Sequence, residues 1–254
     1  MEPILIITAV LQEMSLLEHA LTNSVQQTTA AFEYAEGTIG TLPVTLCAGG
    51  VGKINAAAAA AVLIERCRPR LVINVGCAGA YPGSGLSIGN LAVASNEILG
   101  DEGVQTPEGW KDLRFMELAS FAQGKLTFHN EIPLSKHAAE KAMQLADYYG
   151  VFLMRGRFVT VSTCSGTRQR GETVARHFNA IAESMEGAAV AQVCLRSGVD
   201  CLEIRGISNL VVDRDMSAWD IPRAAESAQR FVLKYLEDLD RPELSAFVQA
   251  VPEL

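Results

Sequence analysis

Residues 4–10 and 71–76 form nearly unbroken apolar runs, too short for helices and with no face left for water. Runs of that length and continuity read as strands buried on both sides, which implies a parallel sheet covered by helices on each face. Further strands are expected at 89–98, 157–162 and 201–209, with two or three short ones within 32–46, the best of them at 43–47. Between them fall helical segments at 56–66, 135–149, 171–178 and 182–194, and a last amphipathic helix ends near 239. Strands alternating with helices predict an α/β protein, a single-domain three-layer α/β/α sandwich around a mixed, largely parallel central sheet. No repeat, linker or composition break divides the chain, so residues 1–239 read as one domain and 240–254 as a loose C-terminal tail with a short helical piece. Residues 100–133 are the least regular stretch, and so long an irregular segment in a compact domain points to a lid or a partner contact.

Composition narrows the classes of function. The 254 residues carry a formal net charge of -8, which argues against nucleic acid or an anionic membrane as a partner. A small ligand carrying its own carboxylate stays compatible, because one local arginine can hold it. The longest apolar run, residues 56–64, is Ala-rich and far short of the about 20 residues that a membrane span needs. Met1-Glu2-Pro3 has no basic n-region, so no secretory signal is expected. The cysteines (Cys47, Cys67, Cys77, Cys164, Cys194 and Cys201) are scattered without a C-x-x-C pair. They read as small core residues in a reducing compartment, which places the protein in the cytoplasm. His19, His129, His137 and His177 lack the spacing of metal ligands, so no metal site is expected. No cofactor is expected either. In Ala48-Gly49-Gly50-Val51-Gly52-Lys53-Ile54-Asn55, Cys47 and Ile54 stand where a Walker A loop needs Gly and Ser/Thr, and Asn55 where G-x-G-x-x-G needs its third Gly. That loop reads as a tight strand-to-helix turn.

The residues able to do chemistry lie at junctions between elements. The helix expected at 182–194 sets Glu186 among small and apolar neighbours, where a buried charge needs a partner. The bland alternative is an acid complementing a helix dipole, and it applies equally to Glu13, at the handover from the first strand to the first helix. Helix, short turn and strand over 182–209 would bring Glu186 and Asn209 to one sheet edge, where open α/β folds hold their ligands. Two loops of small residues, Cys77-Ala78-Gly79-Ala80-Tyr81-Pro82-Gly83 and Thr163-Cys164-Ser165-Gly166-Thr167-Arg168, would let backbone groups approach a ligand closely. A plain tight turn is the alternative for the first.

Together these motifs resemble the nucleoside phosphorylase and nucleosidase superfamily, over nearly the whole chain. The carrying residues are the first strand running to Glu13, Gly50-Val51-Gly52-Lys53-Ile54-Asn55-Ala56, Asn74-Val75-Gly76-Cys77-Ala78-Gly79, Ser184-Met185-Glu186-Gly187-Ala188 and Arg205-Gly206-Ile207-Ser208-Asn209. Within it, Thr106-Pro107-Glu108-Gly109, residues 161–167, and Asn209 followed by Asp213-Arg214-Asp215 and Trp219 are similar to the futalosine hydrolase family. That family, on a route to menaquinone, cleaves futalosine to hypoxanthine and a ribosyl product with a carboxyphenyl tail. The resemblance implies that Glu13 activates the attacking water and that Met185 and Glu186 hold the ribose. It implies that Ala78 and Gly79 line sugar and base, that Thr163, Cys164 and Ser165 form a base-side loop, and that Ser208 and Asn209 meet the purine, Asn209 at N7. Arg214, with Arg168 second, is the candidate for the tail carboxylate. It also implies a homo-oligomer in which a partner loop borders the site, with 100–133 the candidate contact.

The chemistry suits these residue types. Breaking an N-glycosidic bond passes through an oxocarbenium-like ribosyl cation, which a carboxylate beside the sugar stabilises. Adenine-cleaving relatives carry Asp at the place of Asn209, and Asn cannot act as a general acid. The leaving purine then takes its proton from water, from Asp213 or Asp215, or departs on hydrogen bonding alone. Three other functions compete. A purine nucleoside phosphorylase is disfavoured because residues 8–15 and 75–86 contain no Arg or Lys to cradle phosphate. A methylthioadenosine/adenosylhomocysteine nucleosidase is disfavoured by Asn209, and a catalytically dead purine-nucleoside-binding protein by the presence of both Glu13 and Glu186.

Overall fold

The computed structural model describes residues 1–241, so nearly all of the expected tail lies outside the described residues. The chain opens with β1 (Ile4–Thr8). Ile4 and Ile6 enter one core cluster, and Leu5 and Ile7 enter another on the opposite face. That is the two-sided burial its unbroken apolar run implies. A 3-10 turn over Leu11–Glu13 leads into α1 (Ser15–Ala20). Then β2 (Thr22–Thr28), β3 (Glu33–Ile39) and β4 (Leu42–Ala48) form an antiparallel meander. The sequence gives no apolar signal for β2, Thr-Asn-Ser-Val-Gln-Gln-Thr, because it is an exposed strand at the sheet's edge.

Next come α2 (Lys53–Cys67), β5 (Leu71–Ala80) and β6 (Leu91–Leu99). The irregular segment 100–133 holds two small hairpins, β7 (Gly103–Thr106) with β8 (Gly109–Asp112) and β9 (Phe121–Gln123) with β10 (Leu126–Phe128). It ends in β11 (Glu131–Pro133), which joins the main sheet beside β6. The chain finishes with α3 (Lys136–Tyr148), β12 (Leu153–Thr160), α4 (Arg168–Phe178), β13 (Ala180–Ser184), α5 (Gly187–Ser197), β14 (Asp200–Leu210) and α6 (Ile221–Asp240).

These elements build the expected three layers. Residues of α3 and α6 share a core with one face of the sheet, and α2 and α5 with the other. The sheet is mixed. β1 runs parallel to β4 and β5, β14 parallel to β5, and β12 parallel to β6 and β13. β14 also crosses to pair antiparallel with β6, and β13 pairs antiparallel with β5. The path β5–β14–β6–β12–β13 therefore closes on itself. Small side chains dominate the ring: Ala78, Ala80, Ala92, Ala94 and Ala182 cluster there around Phe158, Ile207 and Leu86.

The ring accounts for two departures from the expected elements. Residues 182–194 are not one helix: β13 occupies 180–184 and α5 begins only at Gly187. Ala, Glu and Met favour helix, but that preference is a weak prior. Here Asn179, left-handed at φ 50°, ends α4, and Ala182 enters the ring fully buried. Residues 77–80 are likewise strand, not loop, because Gly79 and Ala80 pair with both β13 and β14. Phe158 is the one aromatic side chain of the ring cluster and is fully buried. Phe158→Ala should destabilise the fold by about 3–5 kcal/mol in urea unfolding; a loss under about 1 kcal/mol would show that the ring does not depend on it.

Candidate active site

Six chain segments bring their C-terminal ends to one region: those leaving β1, β4, β5, β12, β13 and β14. Glu13 is on the 3-10 turn after β1 and is buried. Its Oε2 accepts the backbone N–H of Ala9 at 3.1 Å and of Val10 at 3.4 Å, and its Oε1 accepts that of Cys77 on β5 at 2.8 Å. The carboxylate is thus clamped between two elements and is not merely complementing a helix end.

Glu186, also buried, stands at the first position before α5 but makes no side-chain cap on its own helix. Its Oε1 reaches instead to the N–H of Gly52, at 2.9 Å, in the turn after β4. Gly52 adopts φ 92°, a conformation open to glycine and rarely to other residues. The turn expected to be only structural is therefore part of the site.

Between the two acids lies Arg205 of β14, 1% exposed. Its Nε donates to Glu203 Oε1 at 2.8 Å, its Nη1 to the Cys77 carbonyl at 3.3 Å, and Nη1 lies 3.7 Å from Glu186 Oε2. With its side-chain oxygen turned to Arg205, Asn74 accepts from Nη2 at 2.9 Å and donates to the Ile7 carbonyl at 3.3 Å. A side chain at Gly76 would collide with both Glu13 and Arg205, which fixes that residue as glycine. Burial works against the Arg205 charge, but Glu203, Glu186 and Glu13 outweigh it and hold its pKa above the ordinary arginine value. For Glu186 burial is the larger effect. Its pKa rises above the ordinary 4.5, and Arg205 and the Gly52 N–H offset the rise only in part.

Asn209 lies over Gly79 at the far end of β14, buried. Ser208 Oγ donates to its Oδ1 at 2.8 Å, and its Nδ2 donates to the Leu210 carbonyl at 3.2 Å. An amide NH₂ has two hydrogens, so one remains free. Ser208 Oγ also lies 3.3 Å from the Ala78 carbonyl. After β12, Thr163 and Cys164 are exposed and Ser165 is buried. The Ser165 N–H donates to Glu183 Oε1 at 2.8 Å, while its Oγ has no partner among the described residues. Met185, half-buried, directly precedes Glu186.

Arg214 is tied to the same loop, its N–H donating to the Gly166 carbonyl at 3.2 Å, and its guanidinium stacks over Trp219, 4.7 Å from the ring centroid. Arg168 is exposed on α4, its guanidinium 3.8 Å from Glu172. Asp213 accepts the Arg168 N–H that opens α4, and hydrogen bonds from Ser217 hold the exposed Asp215 below the usual carboxylate range. Segment 100–133 is tied down at its start, where Lys53 bridges Asp101 at 2.6 Å and Glu102 at 3.1 Å. Trp110 packs edge-on against His177 and Phe178 of α4.

The sequence reading missed Arg205, Glu183 and the Gly52 N–H. A signal for the first was present. An arginine inside the apolar strand Cys201-Leu202-Glu203-Ile204-Arg205-Gly206 needs a carboxylate, and Glu203 two residues earlier shares its face.

This geometry can hold a cationic sugar between two carboxylates and offer hydrogen bonds to a polar ring. The profile of the phosphorylase superfamily matches residues 3–237. The chain belongs to the phosphorylase superfamily. A 5'-methylthioadenosine/S-adenosylhomocysteine nucleosidase of Lysinibacillus sphaericus is 31% identical to it over 93% of this chain and 99% of the relative. A futalosine hydrolase of Thermus thermophilus is 34% identical over 74% of this chain and 79% of the relative. Among solved structures, a futalosine hydrolase mutant of Helicobacter pylori superposes with a TM-score of 0.82 at 21% identity, covering 94% of this chain and all of that one, a likeness of fold. The chain groups with the nucleosidases, the N-glycosyl hydrolases of this superfamily.

If Glu186 works as a carboxylate, activity is lost as pH falls through its raised pKa. The acid limb of kcat/KM, which reports the free enzyme, should lie above pH 4.5. Arg205→Met removes the offsetting charge and should move the limb to higher pH. A limb at or below the ordinary glutamate value in both proteins contradicts the assignment.

Proposed function

We propose that this phosphorylase-superfamily member hydrolyses the N-glycosidic bond of futalosine, releasing hypoxanthine, with water as nucleophile and without phosphate, metal or cofactor. The observation that carries the choice of base is the Asn209 amide. Ser208 fixes its oxygen, and one Nδ2 hydrogen is left for a ligand. A 6-oxopurine offers O6 as an acceptor to that hydrogen. Adenine would bring its 6-amino group against it, and a buried donor left unpaired costs about 1–3 kcal/mol. The unpartnered Ser165 hydroxyl, on the loop read as base-side, is a second group available to the purine.

In the proposed reaction the ribose lies against Glu186 and Met185. The Glu186 carboxylate accepts hydrogen bonds from the sugar hydroxyls and stabilises the oxocarbenium-like transition state. Glu13, immobilised by Ala9, Val10 and Cys77, takes the proton from the attacking water. Ala78 and Gly79 are the small residues that let sugar and base approach β5. Negative charge growing on the leaving purine is met by the Asn209 N–H, and with Asp213 and Asp215 engaged elsewhere, water delivers the N7 proton. Phosphate is a poor nucleophile for this site, because the single buried guanidinium is already bonded to Glu203 and flanked by Glu186. Arg214, held flat over Trp219 and joined to the Gly166 carbonyl, is the cation assigned to the carboxylate of the substrate's tail. The second reading, methylthioadenosine or adenosylhomocysteine as substrate, is favoured by the wider coverage of the relative bearing that name.

Incubation with futalosine in phosphate-free buffer containing EDTA should release free hypoxanthine and no ribose 1-phosphate. Asn209→Asp should raise kcat/KM on aminodeoxyfutalosine relative to futalosine by about tenfold, equivalent to about 1.4 kcal/mol. Cleavage of methylthioadenosine but not of futalosine by the unmodified protein favours the second reading, and an unchanged ratio in the variant means that the base is read elsewhere. Glu13→Gln should lower kcat by about 10²–10⁴-fold with KM largely kept. Turnover close to the unmodified level in that variant removes Glu13 from the role of base.

A further inference from the structure

Behind the site lie two carboxyl groups that the reaction does not touch. Glu97 of β6 and Glu203 of β14 are both fully buried, at 0% exposure. Glu97 Oε2 accepts from Thr160 Oγ1 at 2.7 Å and from the Ile98 N–H at 3.2 Å, and Thr160 Oγ1 in turn accepts the Ala188 N–H of α5 at 2.7 Å. Glu203 Oε1 accepts from Arg205 Nε. The remaining oxygens, Glu97 Oε1 and Glu203 Oε2, have no donor among the described residues. They converge on one point: a side chain at Gly187 would run into Glu97 Oε1 and both Glu203 oxygens. Two buried carboxylates cannot face each other unpartnered. One proton placed between the two orphaned oxygens satisfies both at once.

We propose that Glu97 carries that proton and donates it in a hydrogen bond to Glu203, and that this carboxyl–carboxylate pair positions Arg205 between Glu13 and Glu186. The proton sits on Glu97 because Glu203 is the member bonded to the guanidinium. Burial, then the Glu203 charge, pushes Glu97 well above the usual carboxylate range. The other titratable groups facing Glu97 are Arg205 and Cys201 of β14 and Tyr81 beyond β5. β12 presents Thr160 to it, and α5 only Gly187 and Ala188. Glu97 and Glu203 are thus positioning residues, and their effect on turnover rests on Glu13 and Glu186 being the acting acids.

The pair holds one negative charge and one proton, and this makes a specific pattern of variants. Glu97→Gln supplies a permanent donor to Glu203. Its carbonyl replaces Oε2, so the charge on Glu203 is kept. Glu203→Gln still accepts from Arg205 and now donates to Glu97, which becomes the ionised member. Only the double variant removes the negative charge from the pair as a whole.

Measured on full-length protein, Glu97→Gln should keep kcat/KM within about threefold and Glu203→Gln within about tenfold. The double variant should fall at least tenfold below the product of the two single effects, chiefly in kcat. Two further readouts need no substrate. In infrared difference spectra of unmodified protein against Glu97→Gln, a protonated-carboxyl band should be present at pH 7 in the former and absent from the latter. Because the folded pKa of Glu97 is raised, folding takes up a proton and stability falls as pH rises above the ordinary carboxylate range. Glu97→Gln lacks that loss, so its Tm relative to the unmodified protein should climb with pH. If futalosine and methylthioadenosine are both left uncleaved, the functional reading fails while the spectra and melting curves still decide the proton. Absence of the Glu97-dependent band, a Tm difference flat in pH, or strictly multiplicative kinetic effects would overturn the proposal.

Discussion

Everything at the catalytic face is arranged around one buried cation. Arg205 lies inside the protein with its guanidinium among Glu203, Glu186, Asn74 and the Cys77 carbonyl. A buried charge is tolerated only when paired and hydrogen-bonded in good geometry. Satisfying Arg205 therefore fixes the relative positions of β5, β14 and the start of α5. The glycines follow from the same requirement: Gly76 and Gly187 are the places where backbone comes too close to this polar cluster for a Cβ. Such a network adds little net stability, but its members hold one another in place. That is what a site needs when two carboxylates must stay a few ångströms from reacting atoms.

The two acids are held by the same device. Each takes a backbone N–H from a different element, Glu13 from Cys77 of β5 and Glu186 from Gly52 in the turn after β4. Backbone donors have no rotamers to lose, so they orient a carboxylate at small entropic cost. The ring of strands makes those meetings possible. Its alanines let β5, β13 and β14 close tightly, and the strand ends that carry Cys77, Ser184 and Asn209 arrive together.

Much of the architecture is legible in the sequence, because β1 and β5 are apolar on both faces and helices such as α3 and α6 have clear periodicity. The candidate residues were legible as motifs, and the structure gathers Glu13, Glu186, Ala78, Gly79, Ser165 and Asn209 in one region. What the sequence hides depends on contacts distant along the chain. The strand at 180–184 contains good helix formers and is strand only because Ala182 fills the ring. β2 is polar because it lies at an edge. Arg205 reads as one more residue of a motif until the carboxylates around it, from segments nearly two hundred residues apart, are known. The dipole-complementing alternative for Glu186 fails for a reason no local reading supplies: its carboxylate turns away from its own helix toward Gly52.

Charge balance links the network to the proposed chemistry. Three acidic side chains, Glu13, Glu186 and Glu203, gather around the Arg205 guanidinium. A negative cavity lowers the energy of a ribosyl cation and raises that of an approaching phosphate dianion. The same superfamily fold can thus serve phosphorolysis or hydrolysis according to how many cations face the sugar and whether they are free. In this chain the guanidinium among the acids is already bonded to the protein's own Glu203, and residues 8–15 and 75–86 add no Arg or Lys. Neutral water, the nucleophile of the proposed reaction, is not repelled by such a field. In the proposed hydrolysis Glu203 favours water over phosphate without touching the nucleophile, because it occupies the guanidinium from behind.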